Sequence, residues 1–310
     1  MLTERLFFIK NTGIYEYLKK WGEIIRPFAF TASLIPVFLA GTIAYKQNLL
    51  QPFLFLLVLL VVVLLHIAGN IINEYYDVVR GIDVLDGKSG NTASTVLLEK
   101  RLDSRQVLLV GRMILIIVML GGFFYAYLFD FPQILIPVFI GVFAAYSYTA
   151  PPLQLKYHCL GTLLIFLTFG LILPYAVYFT FSRNVLTGLL WYFLPPAFLV
   201  TAIVHGNNLA DFKKDQKICT VALKLGRQLS VYLYFLLVTV PYLVVIITVF
   251  RGIIPLSGLL VFISLPLACR NILSGFQGLQ KDEKLLFLDE KTAHLHLLFG
   301  GLWIIIILFS

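Results

Sequence analysis

Residues 52–83 read PFLFLLVLLVVVLLHIAGNIINEYYDVVRGID. From Pro52 to Gly69 the stretch carries no Asp, Glu, Lys or Arg. A helix needs about 20 apolar residues to cross a hydrocarbon core of about 30 Å. This run supplies them and then ends in Asn70, Asn73, Glu74, Asp77 and Asp83. Carboxylates at the margin of hydrocarbon are costly and mark sites of function. The stretch therefore predicts a membrane helix with polar chemistry at one end.

The rest of the chain follows the same plan. Of 310 residues, 60% are hydrophobic and 13% charged, which exceeds what a soluble domain buries. Apolar runs predict nine spans, at 28–45, 52–74, 106–127, 131–149, 161–181, 185–206, 230–250, 253–273 and 293–309. They are too long for barrel strands and do not alternate. The predicted fold is an all-α membrane protein of nine transmembrane helices, forming one domain over 26–310. Residues 1–25 scatter Lys10, Lys19 and Lys20 among apolar residues and lack a signal-peptide core. They predict an amphipathic helix lying on the bilayer.

With the N-terminus inside and nine alternating spans, every Lys and Arg except Lys46, Arg183 and Arg251 falls inside, out of 24. This asymmetry places the N-terminus and the polar loops in the cytoplasm, with the protein in the cytoplasmic membrane. All acidic residues except Asp130 fall on the same side. The formal charge of +8 suits anionic lipid or an anionic substrate, and no nucleic-acid module is present. Cys159, Cys219 and Cys269 are expected to be thiols on that face, with no disulfide framework.

The acidic helix end has a counterpart. Asn73, Asp77 and Asp83 are matched by Asn207, Asp211 and Asp215, again at the inner end of a span. Each set is followed by a basic loop and a Thr-Val pair, Thr95-Val96 and Thr220-Val221. Two similar halves facing each other across a cavity are expected. Residues four apart share a helix face, so Asn73 aligns with Asp77, and Asn207 with Asp211 and Asp215. Gly81 is placed to end the helix and return Asp83 toward Asp77. Carboxylates gathered this way need cations. Hard oxygen ligands suit Mg²⁺, which bridges carboxylates to substrate phosphates. Arg26, Arg80, Lys156, Lys213 and Lys214 are candidates to neutralise a diphosphate. Solvated helix ends and the ion path of a carrier are the competing readings.

The two motifs, NEYYDVVRGID and NNLADFKKD, resemble those of the UbiA-type intramembrane prenyltransferases. RPFAFTASLIPVFLAGTIAY at 26–45, YSYTAPPLQLKYHCLG at 146–161 and TAHLHLLFG at 292–300 are similar to the 1,4-dihydroxy-2-naphthoate polyprenyltransferase branch. The resemblance implies nine helices around a cavity open to lipid, and a polyprenyl diphosphate held through Mg²⁺. It implies an aromatic acceptor as well, here dihydroxynaphthoate in menaquinone biosynthesis. Carried over by position, Asn73, Asp77 and Asp83 match the first motif, and Asn207, Asp211 and Asp215 the second. Glu74 stands where the family usually has Asp, as a further metal-ligand candidate. Arg26 matches an arginine at the cavity mouth. Tyr148 and Lys156 match loop residues near the diphosphate, and Asn208 pairs with Asn207. Asp77, Asp211, Lys156 and Tyr148 are the implied catalytic residues.

The chain also departs from the branch. Thr162 stands where the branch often carries an acid, and NTASTVLLEKRL replaces an arginine-bearing first loop. These changes keep a terpene cyclase, which needs no acceptor, as an alternative beside the ion-coupled carrier. His66 reads as a buried, hydrogen-bonded helix residue. His205 has packing and substrate contact open to it, His158 could shuttle a proton, and His294 and His296 receive no role.

Overall fold

The computed structural model describes residues 2–82, 92–213 and 218–310. Twelve helices account for most of them: α1 Leu2–Ile25, α2 Pro27–Lys46, α3 Pro52–Val79, α4 Thr92–Leu98, α5 Ser104–Leu128 and α6 Pro132–Ser147, then α7 Gly161–Ser182, α8 Thr187–Ala210, α9 Val221–Leu225, α10 Arg227–Phe250, α11 Leu256–Gln277 and α12 Asp282–Phe309. Eight of these, α2, α3, α5, α7, α8, α10, α11 and α12, are long and apolar enough to cross a membrane. The expected span 131–149 is shorter than required. At 1.5 Å per residue α6 reaches only about 24 Å, because Pro132 starts it and the turn before Pro151 and Pro152 ends it.

Local chemistry sets the boundaries. Pro52 opens α3, where its missing N–H costs nothing. The Asp103 carboxylate caps α5 by accepting from Arg105 N at 3.1 Å. The Thr220 hydroxyl caps α9 by accepting from Leu223 N. The short helices α4 and α9 follow the two acidic motifs in equivalent places, which extends the correspondence between the halves.

The largest core joins α2, α8, α10 and α12 around Tyr234, Phe193, Phe299 and Trp303. Trp303 satisfies its indole N–H on Tyr192 O at 2.9 Å. Gly206 lets α12 approach α8: a Cβ there would stand 3.3 Å from Asp289 N. Outward faces are strongly apolar, with Phe53, Tyr127, Phe250 and Phe309 each more than 80% exposed. In water such a surface would aggregate; in lipid it is solvated. Helix α7 carries a π-helical stretch, Phe166–Ile172, just before Pro174, whose ring denies the preceding turn a donor.

The cysteine expectation is corrected. Cys159 and Cys219 are joined by a disulfide, while Cys269 is free and exposed. Tyr157–Cys159 runs alongside Cys219, with Cys159 N donating to Cys219 O at 2.7 Å and Cys219 N to Tyr157 O at 3.1 Å. A separation of 60 residues gives no sign of this pairing in the sequence.

Candidate active site

Five segments meet at one end of the bundle: the start of α2, the ends of α3 and α8, the loop between α6 and α7, and the start of α12. Helix α3 delivers Asn73 and Asp77 one turn apart. Its end is fixed by Gly81 at φ +63, beyond which Ile82 N donates back to Asp77 O at 3.0 Å. Helix α8 delivers Asn207 and Asp211, and Asn207 Nδ2 donates to Asp211 Oδ2 at 3.2 Å. Asp83, Lys214 and Asp215 lie outside the described residues.

The α6–α7 loop supplies one cation and a phenol. Lys156 Nζ donates to Asp77 Oδ2 at 2.5 Å and to Asn73 Oδ1 at 3.1 Å. Tyr157 OH donates to Asp77 Oδ1 at 2.9 Å. Both oxygens of a nearly fully buried carboxylate are thus engaged. Burial, reinforced by the Asp77 charge, pushes the Tyr157 phenol far above its ordinary value, so it stays a donor. The Arg80 guanidinium lies 4.4 Å from the Tyr157 ring centroid and bonds Gln154. Tyr157 escaped the sequence reading; its adjacency to Lys156 was the only signal.

Arg26 and Glu74, assigned separately to diphosphate and metal, bond each other. Arg26 Nη2 donates to Glu74 Oε2 at 2.9 Å, and Glu74 is fully buried. Arg26 occupies the left-handed region at φ 54 where α1 meets α2, a conformation costly outside glycine. Asn70 Nδ2 holds the same junction by donating to Ile25 O at 2.6 Å.

Beneath these groups lies a cavity of about 370 Å³, within the size range of ligand sites. Arg26, Asn73, Tyr148, Lys156, Asn207, Asn208 and Asp289 line its polar mouth. Its body is aliphatic and aromatic, drawn from α2, α3, α5, α6, α7 and α8, and includes Phe169 of the π-helical stretch. Asn208 Nδ2 donates to Thr162 Oγ1 at 3.4 Å. Asp289 was also missed by the sequence reading, since it belongs to neither motif.

Other candidates fall elsewhere. Lys213 bonds Asp282, which also accepts from Arg227, in an exposed cluster. His205 Nε2 meets Ser230 O at 2.9 Å, a packing contact between α8 and α10. His158 and His294 are exposed, and His296 is buried among core residues.

Asn73 and Asn207 line the mouth from α3 and α8, and Asp77 and Asp211 lie one turn on from them, bonded to Lys156 and Tyr157 and to Asn207 respectively; hard oxygens of this kind are the donor chemistry that suits Mg²⁺. Among the described residues no three His, Cys, Asp or Glu form a closed metal cage. An ion there would complete its shell with phosphate and water oxygens, as Mg²⁺ commonly does.

Comparison with known proteins identifies the family and the fold. The chain is 31% identical over 287 residues to UbiA prenyltransferase domain-containing protein 1 of Rattus norvegicus, covering 89% of this chain and 79% of that one. It is 34% identical over 296 residues to the Danio rerio protein of the same name, covering 89% and 80%. Among solved structures, a UbiA homolog from Archaeoglobus fulgidus bound to DMAPP and Mg²⁺ superposes with a TM-score of 0.62 at 17% identity, covering 93% of this chain and 99% of that one. An apo UbiA homolog from Aeropyrum pernix K1 gives a TM-score of 0.63 at 13% identity, covering 91% and 98%. Residues 33–289 match the UbiA prenyltransferase family. With a multi-pass helical fold and a polar mouth over an apolar cavity, the chain belongs to that family of membrane prenyltransferases.

Proposed function

We propose that the protein transfers a polyprenyl group from a polyprenyl diphosphate to an aromatic ring, with 1,4-dihydroxy-2-naphthoate as acceptor. The observation that carries this reading is the pairing of a polar mouth, lined by Arg26, Asn73, Lys156 and Asn207 and backed by Asp77 and Asp211, with an apolar cavity. A diphosphate fits the mouth and an isoprenoid chain fits the cavity. Mg²⁺, which the Archaeoglobus fulgidus homolog binds, would supply charge for the departing diphosphate. Asp77 and Asp211, with Asn73 and Asn207, would hold it; in the undescribed segments, Asp83 and Asp215 extend the two motifs.

The chain's own residues account for the rest. Lys156 and Arg26 offer positive charge to the non-bridging oxygens as the bond from C1 to the bridging oxygen breaks. The electron pair leaves with diphosphate, and C1 is left as an allylic cation. The apolar walls exclude water that would quench it. The faces of Phe28, Phe169 and Tyr148 line the space where positive charge develops. The carboxylate-bearing ring carbon of the acceptor then bonds to C1, and the carboxylate leaves as CO₂, its electron pair restoring aromaticity and giving the prenylated naphthoquinol.

The basic-residue asymmetry supports a cytoplasmic-facing mouth in the cytoplasmic membrane. The Cys159–Cys219 disulfide at that same end is unusual for a reducing compartment. Labelling a cysteine introduced at the exposed Lys224 of α9, with Cys269 replaced by Ser, using an impermeant maleimide in sealed vesicles of known orientation decides between them.

The functional test uses purified protein in detergent with Mg²⁺ and geranylgeranyl diphosphate, with and without dihydroxynaphthoate. Diphosphate release only with acceptor, giving prenylated naphthoquinol by mass spectrometry, supports the reading. Release without acceptor, giving a cyclic hydrocarbon or alcohol, replaces it with the cyclase. EDTA abolishes either reaction and excess Mg²⁺ restores it.

A further inference from the structure

One polar pair sits inside the cavity, away from its mouth. His66 on α3 and Ser33 on α2 are both buried, and Ser33 Oγ lies 2.5 Å from His66 Nδ1. Both residues line the cavity wall. The imidazole is fixed edge-on between Phe30 and Phe169, at centroid distances of 5.2 and 5.5 Å. Among the described residues, no protein group bonds its Nε2.

The helix places this ring in register with the diphosphate machinery. His66, Asn70, Asn73 and Asp77 are spaced i, i+4, i+7 and i+11, one stripe along α3. Seven residues separate His66 from Asn73, about 10 Å along the axis. The donor has no polar atom at that depth, because its oxygens are held at the mouth and the remainder is hydrocarbon. Tying α2 to α3 requires only Nδ1, so packing does not explain a second nitrogen facing the cavity. A free water there would endanger the cation.

The flank of α3 turned toward α6 differs. Gly69 faces Ala145, and Leu65 faces Gly141 on α6, where a Cβ would stand 3.0 Å away. That wall is smooth and carries no hydrogen-bonding side chain, which suits an isoprenoid chain.

We propose that His66, oriented by Ser33, anchors the acceptor. Nε2 hydrogen-bonds a ring hydroxyl of the aromatic substrate and holds its reactive carbon toward C1. This rests on the acceptor-dependent reading above. His66 contacts substrate; Ser33 is a positioning residue.

The test uses the full-length protein with Mg²⁺ and geranylgeranyl diphosphate, comparing dihydroxynaphthoate with its mono-methyl ethers. In the wild type, one methyl ether is a poorer acceptor in kcat/KM by about tenfold, the scale of one lost hydrogen bond that leaves a buried group unpaired. His66→Phe raises the KM for dihydroxynaphthoate by a similar factor, leaves the KM for the diphosphate within about twofold, and abolishes the preference for hydroxyl over ether. Ser33→Ala shifts the same quantities in the same direction by a smaller factor, and it carries the test if His66→Phe does not fold. An equal loss on hydroxyl and ether acceptors, or a parallel rise in the diphosphate KM, overturns the assignment. If the wild type uses no aromatic acceptor, the acceptor reading fails first and this inference falls with it.

Discussion

Replacing Tyr157 by Phe isolates one contact of the site. The phenol donates to Asp77 Oδ1 at 2.9 Å, with both residues only 3% exposed. A hydrogen bond to a charged acceptor contributes about 1.5–3 kcal/mol, and here solvent cannot replace it. Lys156 still holds the other oxygen, so the lower end applies. About 1.5 kcal/mol corresponds to roughly tenfold in rate. Tyr157→Phe should therefore lower kcat for diphosphate release about tenfold, with a smaller change in KM, in a steady-state assay at saturating Mg²⁺. The pH dependence adds a second check. The native phenol titrates far above the unfolded value of about 10. Its stabilisation is complete below that value and is lost as pH rises beyond it, because the unfolded chain then ionises first. The stability difference between wild type and variant should be flat from about pH 6 to 9 and narrow above about pH 10. A kcat within twofold of wild type, or a difference that already varies with pH below 9, refutes the argument.

Three further outcomes are expected. Glu74→Gln breaks the buried pair with Arg26 and should destabilise the protein by roughly 3 kcal/mol, read as a lower thermal midpoint in detergent. Opening the Cys159–Cys219 link with a reductant should lower stability by about 2–4 kcal/mol, and Cys159→Ser should match Cys219→Ser and the double variant. Gly141→Phe fills the smooth wall of the cavity and should raise the KM for geranylgeranyl diphosphate more than that for geranyl diphosphate. Equal changes for the two donors would argue that the chain lies elsewhere.

The spans were legible because a bilayer imposes one length and one polarity on every helix. Only α6 disappointed that rule, shortened by flanking prolines that hydropathy does not weigh. The two motifs were legible because i, i+4 spacing fixes a helix face. What the sequence hid was contact between distant segments. Nothing local pairs Glu74 with Arg26, or Cys159 with Cys219, since loops meet according to how helices pack. Tyr157 and Asp289 were hidden for a related reason: each reaches the site from an element outside the repeated motif. His66 was read as a bonded core residue, and it is one. Its second nitrogen became informative only when the cavity was seen beside it.

The Lys156–Asp77 contact has a consequence for the order of events. With a lysine already neutralising this carboxylate, a bare divalent cation arriving alone must displace an internal counter-ion. A cation arriving with diphosphate meets different terms, because the displaced ammonium can turn to a phosphate oxygen and no buried charge is left uncompensated. Under the proposed function, affinity for the metal and affinity for the diphosphate would be thermodynamically linked, each strengthening the other by the same factor. The resting protein is held in an electrically balanced state that favours its two ligands together over either one alone.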